Sequence, residues 1–222
     1  MTHRTRIKLC GMTRADDVQA AVAAGADALG FVFYPGSPRY VAPDLASRLL
    51  SCVPGFVTTV GLFVNASSAQ VIDTVARAPV SLLQFHGDET LELCCETARA
   101  VNRPFLRVIR VKPDMQAADL LKYEHDSRAA SDLFSGLLLD TWVDEFGGSG
   151  KVFDWSLIPE ELAPRVVLSG GLSVQNATDA VARVRPFAVD VSSGIEFAKG
   201  VKDSARMRAF VDAVRSADAI TR

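Results

Sequence analysis

In the stretch IKLCGMT, Ile7 to Thr13, an apolar run stops at a thiol, Cys10, which is followed at once by glycine and then by a helix start near Thr13. Most free cysteines behave as small buried hydrophobes. The competing reading puts Cys10 at the mouth of a site. Other apolar runs also end in polar residues. ALGFVF is followed by YPGSPRYV, which offers Arg39; VSLLQF by HGDE, which together offer Gln84 and His86; SGLLLD ends on Asp140; FAVDVS leads into SGIE. Three glycine clusters share this placement: FGGSGK with Gly148, Ser149 and Gly150, SGGLS with Gly170 and Gly171, and SSGIE with Ser192, Ser193 and Gly194. Glycine lets backbone amides approach an anion closely, so three such loops together read as a phosphate cradle.

Two other chemistries fail on spacing. A nucleotide P-loop over GGSGK needs glycine where Glu145 stands and serine or threonine where Val152 stands. Nothing local desolvates Lys151 as a Schiff-base lysine would require, so it reads as a loop or surface residue. No metal is expected, because His3, His86 and His125 show no ligand spacing with Cys10, Cys52, Cys94 or Cys95. The scattered cysteines also spell no disulfide framework.

The elements that must position these residues alternate. Strands are expected at Arg6 to Cys10, Ala28 to Phe33, Val57 to Phe63, Val80 to Phe85, Phe105 to Val111, Ser135 to Asp140, Arg165 to Ser169 and Phe187 to Ser192. Between them lie helical patterns. In RADDVQAAVAAG, Val18, Ala21 and Val22 share a face and Gly25 stops the run; DETLELCCETARAV is expected to carry acidic residues in its first turn. Nearly continuous apolar strands imply burial on both faces, as in a parallel sheet covered by helices. An open doubly wound sheet would show a glycine fingerprint in its first turn, and CGMTRADD has one glycine. The expected fold is therefore α/β, a single (β/α)8 TIM barrel over residues 1–222, with its site at the C-terminal ends of the strands.

The totals agree with one such unit. The chain has 222 residues, 49% hydrophobic and 23% charged, enough for one sizeable core. A net charge of -2 gives no field for nucleic acid or an acidic membrane face. No apolar run reaches signal-peptide or membrane-span length, so a cytoplasmic location is expected, as a monomer or a homodimer.

The pieces IKLCGMT, GFVFYPGSPRYV, GLFVN, LLQFHGDE, LLLDTWVDEFGGSGKVFDW, LSGGLSVQNA and DVSSGIE, with GVKD shortly after, run from Ile7 to Asp203. In that order they resemble the phosphoribosylanthranilate isomerase family of tryptophan biosynthesis. The resemblance implies a (β/α) barrel that converts N-(5-phosphoribosyl)anthranilate to 1-(2-carboxyphenylamino)-1-deoxyribulose 5-phosphate by an Amadori rearrangement, without a cofactor. It also implies Cys10 as general base, Asp140 as general acid and Arg39 on the anthranilate carboxylate. The glycine loops at Gly148 to Gly150, Gly170 to Gly171 and Ser192 to Gly194 fall on its phosphate site. Phe85 departs from the leucine of the family's QLHG, a matter of local packing.

An ordinary Asp titrates near ~3.9 and an ordinary Cys near ~8.5, so such a site must raise one and lower the other. A helix start or loop amides near Cys10 are expected to favour its thiolate. His86 is read either as a ligand contact or as a residue ordering its loop. Asp190 is read either as paired with backbone or as paired with a site group. Cys52, Cys94 and Cys95 are expected to pack within helices, Trp142 to lie in a loop near the site, and Asp154 to cap the turn at Trp155. Among rivals, a histidine-pathway isomerase resembles this chain in fold but uses paired aspartates, and indole-glycerol-phosphate synthase uses lysine and glutamate. A non-catalytic phosphosugar sensor would have no use for both a base and an acid.

Overall fold

The computed structural model describes residues 4–142 and 152–220. Eight parallel strands close on themselves in sequence order: β1 (Arg6–Cys10), β2 (Ala28–Val32), β3 (Thr58–Phe63), β4 (Leu82–Phe85), β5 (Phe105–Val111), β6 (Phe134–Thr141), β7 (Val167–Leu168) and β8 (Ala188–Val191). Helices α1 (Ala15–Ala24), α2 (Pro43–Leu50), α3 (Ser68–Arg77), α4 (Leu91–Val101) and α5 (Ala117–Ala130) connect the first six strands. Helix α6 (Ala177–Val184) joins β7 to β8, and α7 (Ser204–Ile220) follows a small antiparallel pair, β9 (Glu196–Ala198) and β10 (Val201–Lys202). Between β6 and β7 the described residues form two 3-10 turns, Trp155–Leu157 and Ala163–Arg165. Pro159 holds Ile158 extended at φ -80, ψ 113, and Pro164 offers no amide proton, so an α-helix cannot run through residues 158–166.

Alternation along the strands separates two interiors. Ile7 and Leu9 of β1 join the large core between sheet and helices, with Leu29, Phe31, Phe63, Leu83, Phe85, Leu137 and Leu139. The barrel axis is filled differently. Leu106, Val108, Leu138, Val167 and Ala188 plug its lower part, while Cys10, Val32, Leu62 and Val64 form a separate small cluster against Tyr34. Lys8, alternating with Leu9 on a strand buried on both sides, is only 3% exposed.

One local expectation needs correction. Cys52 is not helical: α2 ends at Leu50, and Cys52 lies exposed in the turn beyond it. Helix α4 begins at Leu91, where the Thr90 hydroxyl accepts the Leu93 amide and caps it, and Glu92 supplies the acidic residue expected in its first turn. Glu89 lies ahead of the helix and accepts the amides of Asn65 and Gly87, tying the loops after β3 and β4 together. Cys94 and Cys95 do pack within α4, and burial pushes the Cys94 thiol up to about 12. Asp154 accepts the Ser156 amide at 3.0 Å, the capping role expected of it.

Candidate active site

The strand ends bring Cys10 of β1, Gln84 of β4, His86 just beyond β4, and Asp140 of β6 to one rim of the barrel. Arg39 stands in the loop after β2. Gly148, Ser149 and Gly150 lie outside the described residues. Gly170 and Gly171 follow β7, and Ser192 to Gly194 follow β8. An isolated parallel bridge between Ser173 and Gly194 joins these last two loops. Asn176 orders the first of them, its Oδ1 accepting the Ser173 amide at 2.8 Å and its Nδ2 donating to the Gly171 carbonyl at 3.0 Å. Around the closed sheet, β7 and β8 stand between β6 and β1, so the paired loops lie between the strands of Asp140 and Cys10.

Asp140 is held by two neighbours. Its Oδ1 accepts the Thr141 amide at 2.8 Å, and its Oδ2 lies 3.0 Å from His86 Nε2. His86 Nδ1 lies 2.9 Å from Gln84 Nε2, and the His86 backbone amide donates to the Phe63 carbonyl. Gln84 is wholly buried, so it acts on the rim through His86. These bonds tie His86 both to its own strand end and to Asp140. Trp142 continues from β6 with its ring 4.5 Å from the Arg110 guanidinium carbon and 4.6 Å from Lys112 Nζ. Arg110 stands in register with Asp140 and pairs with Asp88.

The two candidate proton carriers each occupy space that a neighbouring glycine leaves. A Cβ on Gly30, the β2 partner of Cys10, would stand 2.6 Å from the Cys10 Sγ. A Cβ on Gly170 would stand 2.8 Å from Asp140 Oδ1 and 2.4 Å from Thr141 Oγ1. Gly170 also has φ +82, a left-handed conformation that a side chain would strain.

The field around Cys10 differs from the one expected. The amides of Gly11 and Met12 both donate to the Gly30 carbonyl, and α1 begins only at Ala15, so these two amides are committed elsewhere and not to the thiol. Buried side chains supply the charge instead. Lys8 Nζ donates to Asp190 Oδ1 at 2.8 Å, across the seam where β8 closes on β1. This gives Asp190 the site-group partner that was one of its two readings. Lys202 Nζ donates to Glu196 Oε1 at 2.9 Å and to the Ser192 carbonyl at 3.1 Å; Ser192 Oγ in turn donates to the Cys10 carbonyl. Burial pushes the Cys10 thiol above its ordinary value, with Lys8 and Lys202 opposing the shift and Asp190 adding to it. Burial pulls Lys8 down, but Asp190 and Cys10 outweigh it and hold the ammonium above the usual lysine value. For Lys202 burial wins, against Glu196.

Arg39 is fixed by Glu196, its Nε on Oε1 at 2.7 Å and its Nη2 on Oε2 at 2.8 Å. Glu196 serves Lys202 as well, and these two cations hold its carboxyl below the usual range although burial would raise it. One edge of the Arg39 fork is thereby committed. Its Nη1 makes no hydrogen bond to a described residue, which leaves a donor for a second carboxylate. Lys8, Lys202, Glu196 and Gly30 escaped the strand-end reading. The available signal was charge in the wrong place: a lysine inside the apolar run RIKLC, and a glutamate and a lysine inside SSGIE and GVKD.

The family model for N-(5'-phosphoribosyl)anthranilate (PRA) isomerase matches residues 7–213. The N-(5'-phosphoribosyl)anthranilate isomerase of Herminiimonas arsenicoxydans is 68% identical over 219 residues, covering 99% of this chain and 96% of that protein. The crystal structure of phosphoribosyl anthranilate isomerase from Thermotoga maritima is similar with a TM-score of 0.83 at 39% identity, over 96% of this chain and 99% of that one. A phosphoribosyl anthranilate isomerase in complex with reduced 1-(o-carboxyphenylamino)-1-deoxyribulose 5-phosphate is similar with a TM-score of 0.80 at 36% identity, with the same coverage. With the matched span running from β1 into α7 and the barrel shared throughout, this chain belongs to the N-(5'-phosphoribosyl)anthranilate isomerase family.

Proposed function

We infer that Cys10 is the general base and Asp140 the general acid of the reaction this chain catalyses in tryptophan biosynthesis. That reaction isomerises N-(5'-phosphoribosyl)anthranilate to 1-(2-carboxyphenylamino)-1-deoxyribulose 5-phosphate. The observation that carries the assignment is the barrel order itself: thiol at the end of β1, carboxyl at the end of β6, and the two bridged glycine loops between them. A phosphate bound at Gly170, Gly171 and Ser192 to Gly194 would hold the sugar between acid and base, converting binding energy into position.

The chemistry needs one proton given and one taken. Asp140 donates to the furanose ring oxygen while the anilino nitrogen pushes its lone pair toward the adjacent carbon, so the carbon–oxygen bond breaks and an iminium forms. Cys10 then removes the proton from the neighbouring carbon, and the electron pair of that bond neutralises the iminium as an enol-amine. Tautomerisation of the enol gives the ketose. His86, bonded to Asp140, keeps the carboxyl aimed at the ring oxygen, with Gln84 holding the imidazole from behind. Arg39, anchored by Glu196, meets the anthranilate carboxylate with its remaining donors.

No cofactor enters these steps. We take residues 1–222 as one catalytic unit and place it in the cytoplasm, where reducing conditions keep a thiol base free. The test is the loss of substrate fluorescence when purified protein meets freshly made phosphoribosylanthranilate. Cys10→Ser should lose most of that turnover while still binding a product analogue, since a hydroxyl is a far weaker base. Near-normal turnover by Cys10→Ser removes Cys10 from the mechanism.

A further inference from the structure

We propose that Lys8 is a positioning residue for the Cys10 base: its ammonium, anchored on Asp190, shares the barrel axis with the sulfur and stabilises the thiolate that must take the substrate proton. The inference rests on Cys10 being the base.

Geometry puts the two side chains together. Lys8 and Cys10 are two residues apart on β1, so both point to the barrel axis, where each is almost fully buried. The ammonium donates to Asp190, and its charge favours the thiolate form of Cys10 within the same interior. Asp190 is the in-register partner of Lys8 across the closing seam, so the long lysine side chain is held at both its Cα and its Nζ. A buried ion pair is weak grounds for stability, because desolvating two charges offsets most of their attraction. A role beside a nucleophilic sulfur accounts for its presence in the axis of the barrel.

Every charged group facing the sulfur must be weighed. Lys8 comes from β1, Asp190 from β8, Lys202 from β10 and Arg39 from the loop after β2. Tyr34 packs on the Cys10 cluster, while β2 and β3 present Val32 and Leu62. Glu196 divides its carboxylate between Arg39 and Lys202, and Asp17 of α1 accepts the Lys202 amide. Among these, Lys8 is the cation whose charge acts most strongly on the thiol, and Asp190 is the anion whose charge reaches it.

The two members of the pair must therefore act on the thiol with opposite sign. The experiment alkylates the folded protein with iodoacetamide across pH and follows the Cys10 peptide by mass spectrometry, with circular dichroism and a thermal melt on each variant. Below the thiol pKa the rate follows the thiolate fraction. Removing an adjacent opposite charge shifts a pKa by roughly one unit or more, so Lys8→Met should slow Cys10 alkylation at pH 7 by about tenfold or more and move its profile upward. Asp190→Asn, which keeps an oxygen for Lys8, should speed alkylation and move the profile downward. Profiles that stay put, or that move the same way in both variants, overturn the proposal. Should Lys8→Met fail to fold, Asp190→Asn decides alone, an unmoved or upward profile being the refuting result. Alkylation reports on the thiol whether or not it removes the substrate proton. Failure of the base assignment would show separately, as undiminished turnover by Cys10→Ser.

Discussion

Replacing Gly30 by alanine changes the space in which the proposed base stands without touching the base. The added Cβ would lie 2.6 Å from Cys10 Sγ, 3.1 Å from Cys10 Cα and 3.2 Å from its Cβ. Ordinary contact begins at 3.4 Å, so the sulfur must retreat by about 0.8 Å and the β1 backbone must give as well. A rotamer change alone relieves only the first of these contacts. Overpacking of this kind costs ~1–3 kcal/mol. Alanine returns ~0.4–1 kcal/mol by restricting the unfolded chain, since Gly30 has no positive φ to lose. The net effect is a loss of stability between about 0 and 2.6 kcal/mol, as for other overpacked glycines, so activity is the readout that distinguishes this position. Misplacing a catalytic atom by about 1 Å costs on the order of 10²-fold in rate.

The assay pairs substrate-fluorescence turnover with thermal unfolding, and Gly61→Ala serves as the comparison. A Cβ on Gly61 would press on Val80, Phe33 and Phe63 at 3.0–3.2 Å, in the core between sheet and helices. That variant should lose stability and keep its kcat. Gly30→Ala should lose kcat by roughly 100-fold while remaining folded. If a folded Gly30→Ala turns over within about threefold of the wild type, the position of the sulfur does not govern the rate, and the reasoning that makes Cys10 the base fails with it.

Asp140→Asn keeps the shape of the carboxyl but has no acidic proton to give, so kcat should fall more than affinity for a product analogue; equal losses would make Asp140 a binding residue. Arg39→Lys should raise KM for the carboxylate-bearing substrate by about 1.5–3 kcal/mol and leave a substrate lacking the carboxylate unchanged, an unaffected KM refuting the carboxylate contact. Glu196 has its folded pKa held below the unfolded value by Arg39 and Lys202, against burial. Its ionised form therefore stabilises the fold above the unfolded value of ~4.3, and that contribution is lost as pH falls through the folded value. Urea unfolding should show Glu196→Gln destabilised at neutral pH, with the deficit shrinking on acidification; a pH-independent deficit would mean packing, not charge, is lost.

The strands were legible because burial on both faces writes itself as continuous apolar sequence, and β1 and β5 run from Arg6 to Cys10 and from Phe105 to Val111 as the pattern predicts. Strand β7 shrinks from five expected residues to Val167–Leu168, since Arg165 closes a 3-10 turn and Gly170 turns the chain away. Periodicity cannot register either event. Cys52 misled for a similar reason: its apolar character continues the α2 pattern beyond the point where the helix stops. Cys10, His86 and Asp140 were singled out as candidates by the rule that barrel sites sit at strand ends, and the structure brings them to one rim. The Lys8–Asp190 pair was not, because its partners are 182 positions apart and meet only when β8 closes on β1. A lysine inside an apolar strand signals that some partner exists, and only the closed register says which.

The proposed mechanism asks one barrel rim to supply a thiol that takes a proton and a carboxyl that gives one, and the two groups stand in different surroundings. Cys10 stands among side-chain cations delivered by β1, β10 and the loop after β2, while Asp140 rests on an imidazole and a backbone amide. Separation along the rim keeps these fields apart: two strands, β7 and β8, intervene on the shorter way round. Those same two strands end in the bridged glycine loops, so the segment that insulates base from acid is also the one suited to grip the phosphate between them. The glycines complete the arrangement. Because Gly30 and Gly170 leave the volumes that Sγ and Oδ1 require, the positions of both proposed proton carriers depend on residues that carry no proton. A barrel retaining Cys10 and Asp140 but filling either volume would keep the chemical groups and lose the geometry that lets them act on one substrate.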